Sequence, residues 1–182
     1  MENYICQCIT PRLSSDHIAK VVAPEGGLTA GQVVIVDTLD NTIVGNIEVF
    51  NATKPTTTEE GDNFSVSAKL ALVINDGFET MDDGRRPAGQ PNYYTEGYHY
   101  KEGEVAPVVF LDSHLVFNIS EDVLGAATVG QFVYAQANSY DLAVSSTNPE
   151  HRCFLKVVAI YNTPVGGNFG GGFAKSYICV AQ

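Results

Sequence analysis

The chain has 182 residues, of which 45% are hydrophobic and 17% are charged, a composition that predicts a folded domain with a sizeable core and excludes a disordered segment. Its 21 acidic and 10 basic side chains give a formal net charge of −11 at pH 7. That charge repels the phosphates of nucleic acids and anionic membranes, and no basic cluster exceeds the pair Arg85–Arg86. We therefore expect neither nucleic acid nor membrane as a partner.

The amino-terminal segment, residues 1–23, is predicted to be an extended arm or an edge strand. It has no basic region followed by an apolar run, so it does not resemble a secretory signal. No stretch of the chain approaches the roughly 20 apolar residues that a membrane-spanning helix needs. The sequence thus favours a protein that is made in the cytoplasm of a cell and stays soluble.

Strand patterns dominate the remainder, residues 24–182, which we take as one β domain. Helical spacing of apolar residues is interrupted by Gly or Pro in each window of a dozen residues, and only 14–20 and 120–124 favour a short helical turn. Runs of β-branched and aromatic residues alternate instead with turn residues, at 33–36, 43–50, 64–74, 105–111, 115–119, 131–135, 154–161 and 176–180. The predicted fold class is all-β, a sandwich or barrel built from hairpins with long loops and little helix.

A short pattern occurs twice in this domain. Thr29-Ala30-Gly31-Gln32 opens one strand, and Thr128-Val129-Gly130-Gln131 opens another. Each is predicted to be followed by a polar turn and a returning apolar strand, at 45–50 and 154–161. One interpretation is a structural repeat, with two related β units at 24–74 and 105–182. The other is coincidence, because glycine turns are common in β proteins.

An irregular excursion, residues 75–104, separates these two units. It is rich in glycine and proline, and long loops within compact domains usually serve a function or an interface. Tyrosine offers a large apolar area with a polar tip, which suits interfaces and stacking on sugars. The alternative is that the tyrosine rings of the excursion cover a thin core beneath it. The candidate interface residues of the excursion are Tyr93, Tyr94, Tyr98, Tyr100, Arg85 and Arg86.

Residues suited to catalysis or metal binding do not form a recognisable motif. The four cysteines are expected to be reduced core thiols, because a zinc site favours Cys-x-x-Cys pairs that this sequence lacks. Asp112-Ser113-His114 is interpreted as a polar turn, since neighbours on a strand point to opposite faces. We predict no enzyme activity, no cofactor and no metal. The cysteines and histidines that could serve in such a motif are Cys6, Cys8, Cys153, Cys179, His17, His99, His114 and His151.

One stretch resembles a known family. Pro24-Glu25-Gly26-Gly27-Leu28-Thr29-Ala30-Gly31-Gln32-Val33-Val34, then a polar turn and Gly45-Asn46-Ile47-Glu48-Val49-Phe50, resembles decoration or cement proteins of tailed bacteriophage heads. The resemblance covers roughly a third of the chain and lies in the general sequence pattern rather than in a defined motif. It implies a non-enzymatic virion protein on the capsid surface that binds the major capsid protein. It also implies a homo-oligomer, often a trimer.

Two other functions remain open from the sequence. The first is a receptor- or carbohydrate-binding β module of a phage fibre or baseplate, with the tyrosines around a groove. The second is a β-barrel hydrolase whose site is assembled from distant histidine and acidic residues, such as His99 or His114 with two carboxylates.

Overall fold

The protein is described by a computed structural model that covers residues 4–10, 15–40, 48–55, 69–74, 99–112, 114–148, 154–165 and 172–182. Within these ranges the regular secondary structure is almost entirely β-strand, which confirms the predicted all-β class. A 3₁₀ turn at Ser15–His17 and helix α1 (Glu121–Leu124) fall in the two windows that the sequence favoured for helical turns. The strands are β1 (Cys6–Cys8), β2 (Ile18–Val22), β3 (Leu28–Thr29), β4 (Val33–Leu39), β5 (Phe50–Thr53), β6 (Lys69–Val73), β7 (His99–Tyr100), β8 (Val105–Phe110), β9 (Val116–Ser120), β10 (Phe132–Ala135), β11 (Leu142–Ser145), β12 (Leu155–Val165) and β13 (Gly172–Ala181).

Five strands close a barrel in the order β2-β5-β4-β6-β8. Four of its strand pairs are antiparallel, and the fifth, between β2 and β5, is parallel. The parallel pair closes the barrel through Val21 opposite Phe50 and Val22 opposite Asn51. Strands β3 and β7 form a separate two-stranded sheet.

A six-stranded antiparallel sheet contains the other strands, in the order β1-β9-β13-β12-β10-β11. Strand β1 is its edge strand, with Cys6 opposite Ile119. Residues 1–23 were predicted to be an extended arm or an edge strand. Within them, residues 6–8 form an edge strand of the sheet, whereas β2 belongs to the barrel. Strand β8 pairs with β2 and β6, so the barrel extends to Phe110, beyond the boundary of the first unit predicted at residue 74.

The barrel and the sheet share a core because β4 is apolar on both faces. Val34 and Val36 lie in the cluster that fills the barrel. Val33, which points to the opposite face, joins a cluster that includes Phe117 and Tyr177 of the sheet. A strand buried on both faces reads as a continuous apolar run, and this explains the run at 33–36.

Candidate interaction surface

Of the predicted interface residues, the structure describes Tyr100. Its side chain is 3% exposed and belongs to the barrel cluster, and its hydroxyl donates a hydrogen bond to the carbonyl of Ile74 at 3.0 Å. Tyr100 therefore takes the core position that was the alternative to an interface. The remaining candidates lie outside the described residues: Arg85, Arg86, Tyr93, Tyr94 and Tyr98.

The first Thr-x-Gly-Gln segment forms a tight turn. Gln32 N–H donates to the carbonyl of Thr29 at 3.1 Å, and Gly31 has a φ of +90°, as the third position of a type II turn requires. The Gln32 side chain closes the turn a second time, because its Oε1 accepts a hydrogen bond from Thr29 N–H at 2.8 Å. The turn is bonded to the end of β6 by Gly31 N–H to Val73 O and by Val73 N–H to Gln32 O, both at 2.8 Å.

The second Thr-x-Gly-Gln segment repeats each of these bonds. Gln131 N–H donates to Thr128 O at 3.2 Å, Gly130 has a φ of +94°, and Gln131 Oε1 accepts from Thr128 N–H at 2.7 Å. Gly130 N–H donates to Val157 O at 2.8 Å, and Val157 N–H donates to Gln131 O at 2.9 Å. The recurrence in the sequence is therefore a recurrence of structure, down to the strand on which each turn docks.

The strands around the two turns are also equivalent. In the barrel, β2 precedes the turn, and the pairing order is β2-β8-β6-β4-β5. In the sheet, β9 precedes the turn, and the order is β9-β13-β12-β10-β11. These are the same five-stranded topology, so we call them the first unit and the second unit. They differ in closure, because the first is closed by the parallel β5–β2 pair, whereas in the second the outer edge of β9 is occupied by β1.

The two turns differ in what covers them. In the first unit Ala30 is 1% exposed, and a Cβ placed on Gly31 would overlap the side chain of Val123 in α1. Helix α1 directly follows β9, so the second unit covers the turn of the first. In the second unit the equivalent side chain, Val129, is 58% exposed, and a Cβ on Gly130 would meet no atom of the described residues within 4 Å.

Further exposed apolar side chains lie beside the uncovered turn and along the hairpin on which it docks. Val158 is the extra residue of a β-bulge in β12, next to the Val157 carbonyl that accepts the hydrogen bond of Gly130. Of the nine large apolar side chains exposed in the described part of the chain, five lie in this turn and in the β12–β13 hairpin. We define the apolar surface by these five: Val129, Val158, Ile160, Tyr161 and Phe173.

The register of the hairpin divides the apolar surface between two faces. Ile160 lies opposite Tyr177 and Phe173 lies opposite Pro164, which places Ile160 and Phe173 on one face, and Tyr161 lies on the other. Sequence reasoning missed this surface, although residues 157–161 are apolar at each position. Such a run is typical of a strand buried on both faces, yet Val158, Ile160 and Tyr161 are exposed here.

A chain of buried polar groups joins β9, β12 and β13. Asn118 Nδ2 donates to Thr163 Oγ1 at 2.9 Å, and Thr163 Oγ1 and Ser176 Oγ share a hydrogen bond of 2.8 Å. Ser176 Oγ in turn donates to the carbonyl of Tyr161 at 3.3 Å. The Oδ1 atom of Asn118 is buried and has no hydrogen-bond partner among the residues that the structure describes. These bonds join the three strands in the half of the hairpin that is nearer its loop.

A second network ties the hairpin to α1. Glu121 Oε1 accepts hydrogen bonds from Lys175 Nζ at 2.7 Å and from the Tyr177 hydroxyl at 3.0 Å, and these bonds hold the pKa of Glu121 below its usual value. The pKa of Lys175 is raised, chiefly by the same bond to Glu121. Ala127 N–H donates to the Tyr177 hydroxyl at 3.0 Å, so the network reaches the segment that leads into the uncovered turn.

The described cysteines lie on strands β1 and β13 of the sheet, and the described histidines lie outside these two strands. Cys6 and Cys179 are buried thiols, as predicted, and burial raises the pKa of the Cys6 thiol and raises that of Cys179 to about 12. Asp112 lies 3.5 Å from Nε2 of His17, and Nδ1 of His99 lies 3.2 Å from the Thr29 hydroxyl. Within the described ranges no group of three or more His, Cys, Asp or Glu side chains is placed to hold a metal ion.

In the part of the chain that the structure describes, no helix has the length and apolar character needed to cross a bilayer. Comparison with known proteins finds no matching family model, no matching curated protein and no matching solved structure.

Proposed function

We propose that this chain is a non-enzymatic structural protein of a phage virion that binds the outside of the capsid and stabilises it, as a homo-oligomer. The observation that carries the proposal is the apolar surface, in which Phe173 is 73% exposed and Ile160 49% exposed on one face of the β12–β13 hairpin. Several exposed apolar side chains on one element favour a site of protein association. The Asn118 and Glu121 networks bond this hairpin to β9 and α1.

The capsid as partner is supported by the resemblance and by charge. The first part of the stretch that resembles phage decoration proteins, residues 24–34, contains β3, the first repeated turn and the start of β4. A net charge of −11 favours association with an electropositive surface and disfavours binding to DNA that escapes from the capsid. The major capsid protein is therefore the proposed partner.

Stabilisation of a shell requires contacts that cross joints between capsid subunits. An oligomer that places several copies of the hairpin face with Ile160 and Phe173 on neighbouring subunits converts weak single contacts into tight overall binding, because each later contact is intramolecular. Bound across a joint, the oligomer opposes the separation of the subunits. The mechanism needs rigid placement of the surfaces and no chemical step.

The test is co-sedimentation of the purified chain with capsids of the phage that encodes it. We expect saturable binding, a higher temperature of capsid disruption, and loss of both with Phe173→Asp. The matched control is Leu39→Asp, which adds the same charge at an exposed apolar position of the barrel. Absence of the chain from purified virions, together with no binding to capsids, would overturn the proposal. Binding to a glycan array in its place would support the alternative of a receptor-binding module.

A further inference from the structure

The two units of the chain contact each other in a way that is not reciprocal. The segment after β9, helix α1, covers the turn of the first unit through Val123. The equivalent segment of the first unit follows β2 and includes Pro24, Glu25 and Gly26. It does not cover the turn of the second unit, because Val129 is exposed there, and Glu25 and Gly26 are exposed as well.

We propose that the uncovered turn of one molecule, residues 128–131, binds the segment after β2, residues 24–26, of a second copy of this chain. The inference specifies the self-association within the proposed function and rests on it for its biological role. The turn of the first unit indicates what would bind there. It is covered by the segment that follows the first strand of the second unit, and residues 24–26 are the equivalent segment of the first unit. Each chain retains one uncovered turn and one such exposed segment.

Charge complementarity supports this pairing. Glu25 is the acidic residue of the segment after β2, and it is exposed. Lys156 immediately precedes Val157, the residue on which the turn of the second unit docks, and its ammonium group lies 5.8 Å from the centre of the Phe132 ring. A docked segment from a second copy would bring Glu25 toward Lys156, while Val129 would lose its exposure to water.

The two surfaces are different, so the contact is head-to-tail. A two-fold dimer would place the same surface of both molecules against itself, whereas here a turn meets a segment of another kind. Repetition of a head-to-tail contact yields a closed ring when the rotation between copies permits it, and an open filament otherwise. A ring of two-unit chains would present an alternating circle of first and second units, and this matches the oligomer that the proposed function requires.

The first test compares two charge substitutions by sedimentation velocity. Val129→Asp places a charge in the proposed contact, and we expect at least about a tenfold weaker self-association, because a buried unpaired carboxylate is costly. Ile18→Asp, at an exposed position at the other end of β2 from residues 24–26, should leave self-association unchanged. Val129 is exposed in the monomer, so both variants should fold. An oligomer that withstands Val129→Asp, or a wild-type chain that is monomeric, would overturn the inference.

The second test distinguishes head-to-tail from two-fold contact. Chains carrying Glu25→Cys and chains carrying Val129→Cys are made with tags of different mass. Each is oxidised alone, and the two are also oxidised as a mixture. The wild-type chain is the control for Cys8, a partly exposed native thiol. We expect a disulfide-linked dimer of unlike chains only in the mixture. Linked dimers of the Val129→Cys chain alone would show a two-fold contact and would overturn the inference.

Failure of this inference can be separated from failure of the proposed function. Val129→Asp chains that no longer self-associate but still bind capsids would leave capsid binding intact as a property of the single chain. Chains that form the head-to-tail oligomer without binding capsids would support the contact proposed here and reject the capsid as partner.

Discussion

At the scale of single residues, the hydroxyl of Tyr177 joins three parts of the chain. It accepts a hydrogen bond from Ala127 N–H and donates one to Glu121, and the side chain is fully buried. We expect Tyr177→Phe to lower the free energy of unfolding by about 1–3 kcal/mol, because the amide of Ala127 loses its acceptor in a buried site. Chemical denaturation measures the change. Tyr161→Phe, at an exposed tyrosine of the same hairpin, is the control and should have little effect.

The ion pair between Glu121 and Lys175 makes stability depend on pH. A carboxyl whose pKa is lowered in the folded state stabilises the fold above its unfolded pKa, and this contribution is lost as the pH falls through the folded value. The raised pKa of Lys175 acts in the opposite range, since its contribution is lost as the pH rises through the folded value.

The comparison that isolates this charge is wild type against Glu121→Gln, which retains an acceptor for Tyr177. The difference in unfolding free energy between the two should be constant near neutral pH. It should begin to shrink near the ordinary carboxyl pKa, about 4.3, and should level off only below the lowered folded pKa, where the carboxyl is protonated in both states. It should also shrink in strongly alkaline solution, where Lys175 loses its proton. A difference that stays constant across the acid range would contradict the assignment.

At the scale of elements, the repeated turns offer a matched pair of substitutions. Gly31→Ala and Gly130→Ala both place a side chain at a positive φ, which costs roughly 1–2 kcal/mol. Only the Cβ at Gly31 meets the side chain of Val123, so Gly31→Ala should cost about 1–3 kcal/mol more. Thermal and chemical denaturation of both variants measures the difference. Equal losses would mean that α1 does not pack on the first turn.

The repeated turn was predictable from sequence because its chemistry is local. Glycine supplies the positive φ, and Gln32 and Gln131 each close the turn with a side-chain bond to a residue three positions away. The returning strands were predicted less well. The first was expected at 45–50, of which the structure describes 48–50, and β5 begins at Phe50 and ends at Thr53. The second, expected at 154–161, is β12, which pairs with β10, but β11 at Leu142–Ser145 precedes it in the chain and also pairs with β10.

Pairings between distant segments could not be predicted from local patterns. The parallel β5–β2 pair closes the barrel, and β8 belongs to the barrel rather than to the second unit. Neither leaves a trace in the alternation of residues, because apolar runs show that a strand is buried but not which strand lies beside it. The role of Tyr100 was equally hard to predict. Tyrosine is a residue type common at interfaces, yet this side chain is buried in the core, and its burial depends on contacts between distant segments.

At the scale of the whole molecule, the amino-terminal segment is part of the fold. Ile5 and Cys6 are fully buried, and Ser120 Oγ accepts a hydrogen bond from Ile5 N–H at 3.0 Å. We expect Ile5→Ala to lower the free energy of unfolding by about 2–5 kcal/mol, as for other large-to-small core substitutions. Ile9→Ala, at an exposed position just beyond β1, should cost far less. A free arm would show equally small losses at both positions.

The core shared by the barrel and the sheet makes folding cooperative across both units. Val33, Leu72 and Val109 belong to the barrel strands, yet they lie in one cluster with Phe117 and side chains of the sheet. Either unit expressed alone would expose that half of the cluster to water, so neither is a separable module. We expect a single calorimetric transition whose van't Hoff and calorimetric enthalpies agree, because opening one unit removes the packing of the other. Two resolved transitions would indicate independent folding units.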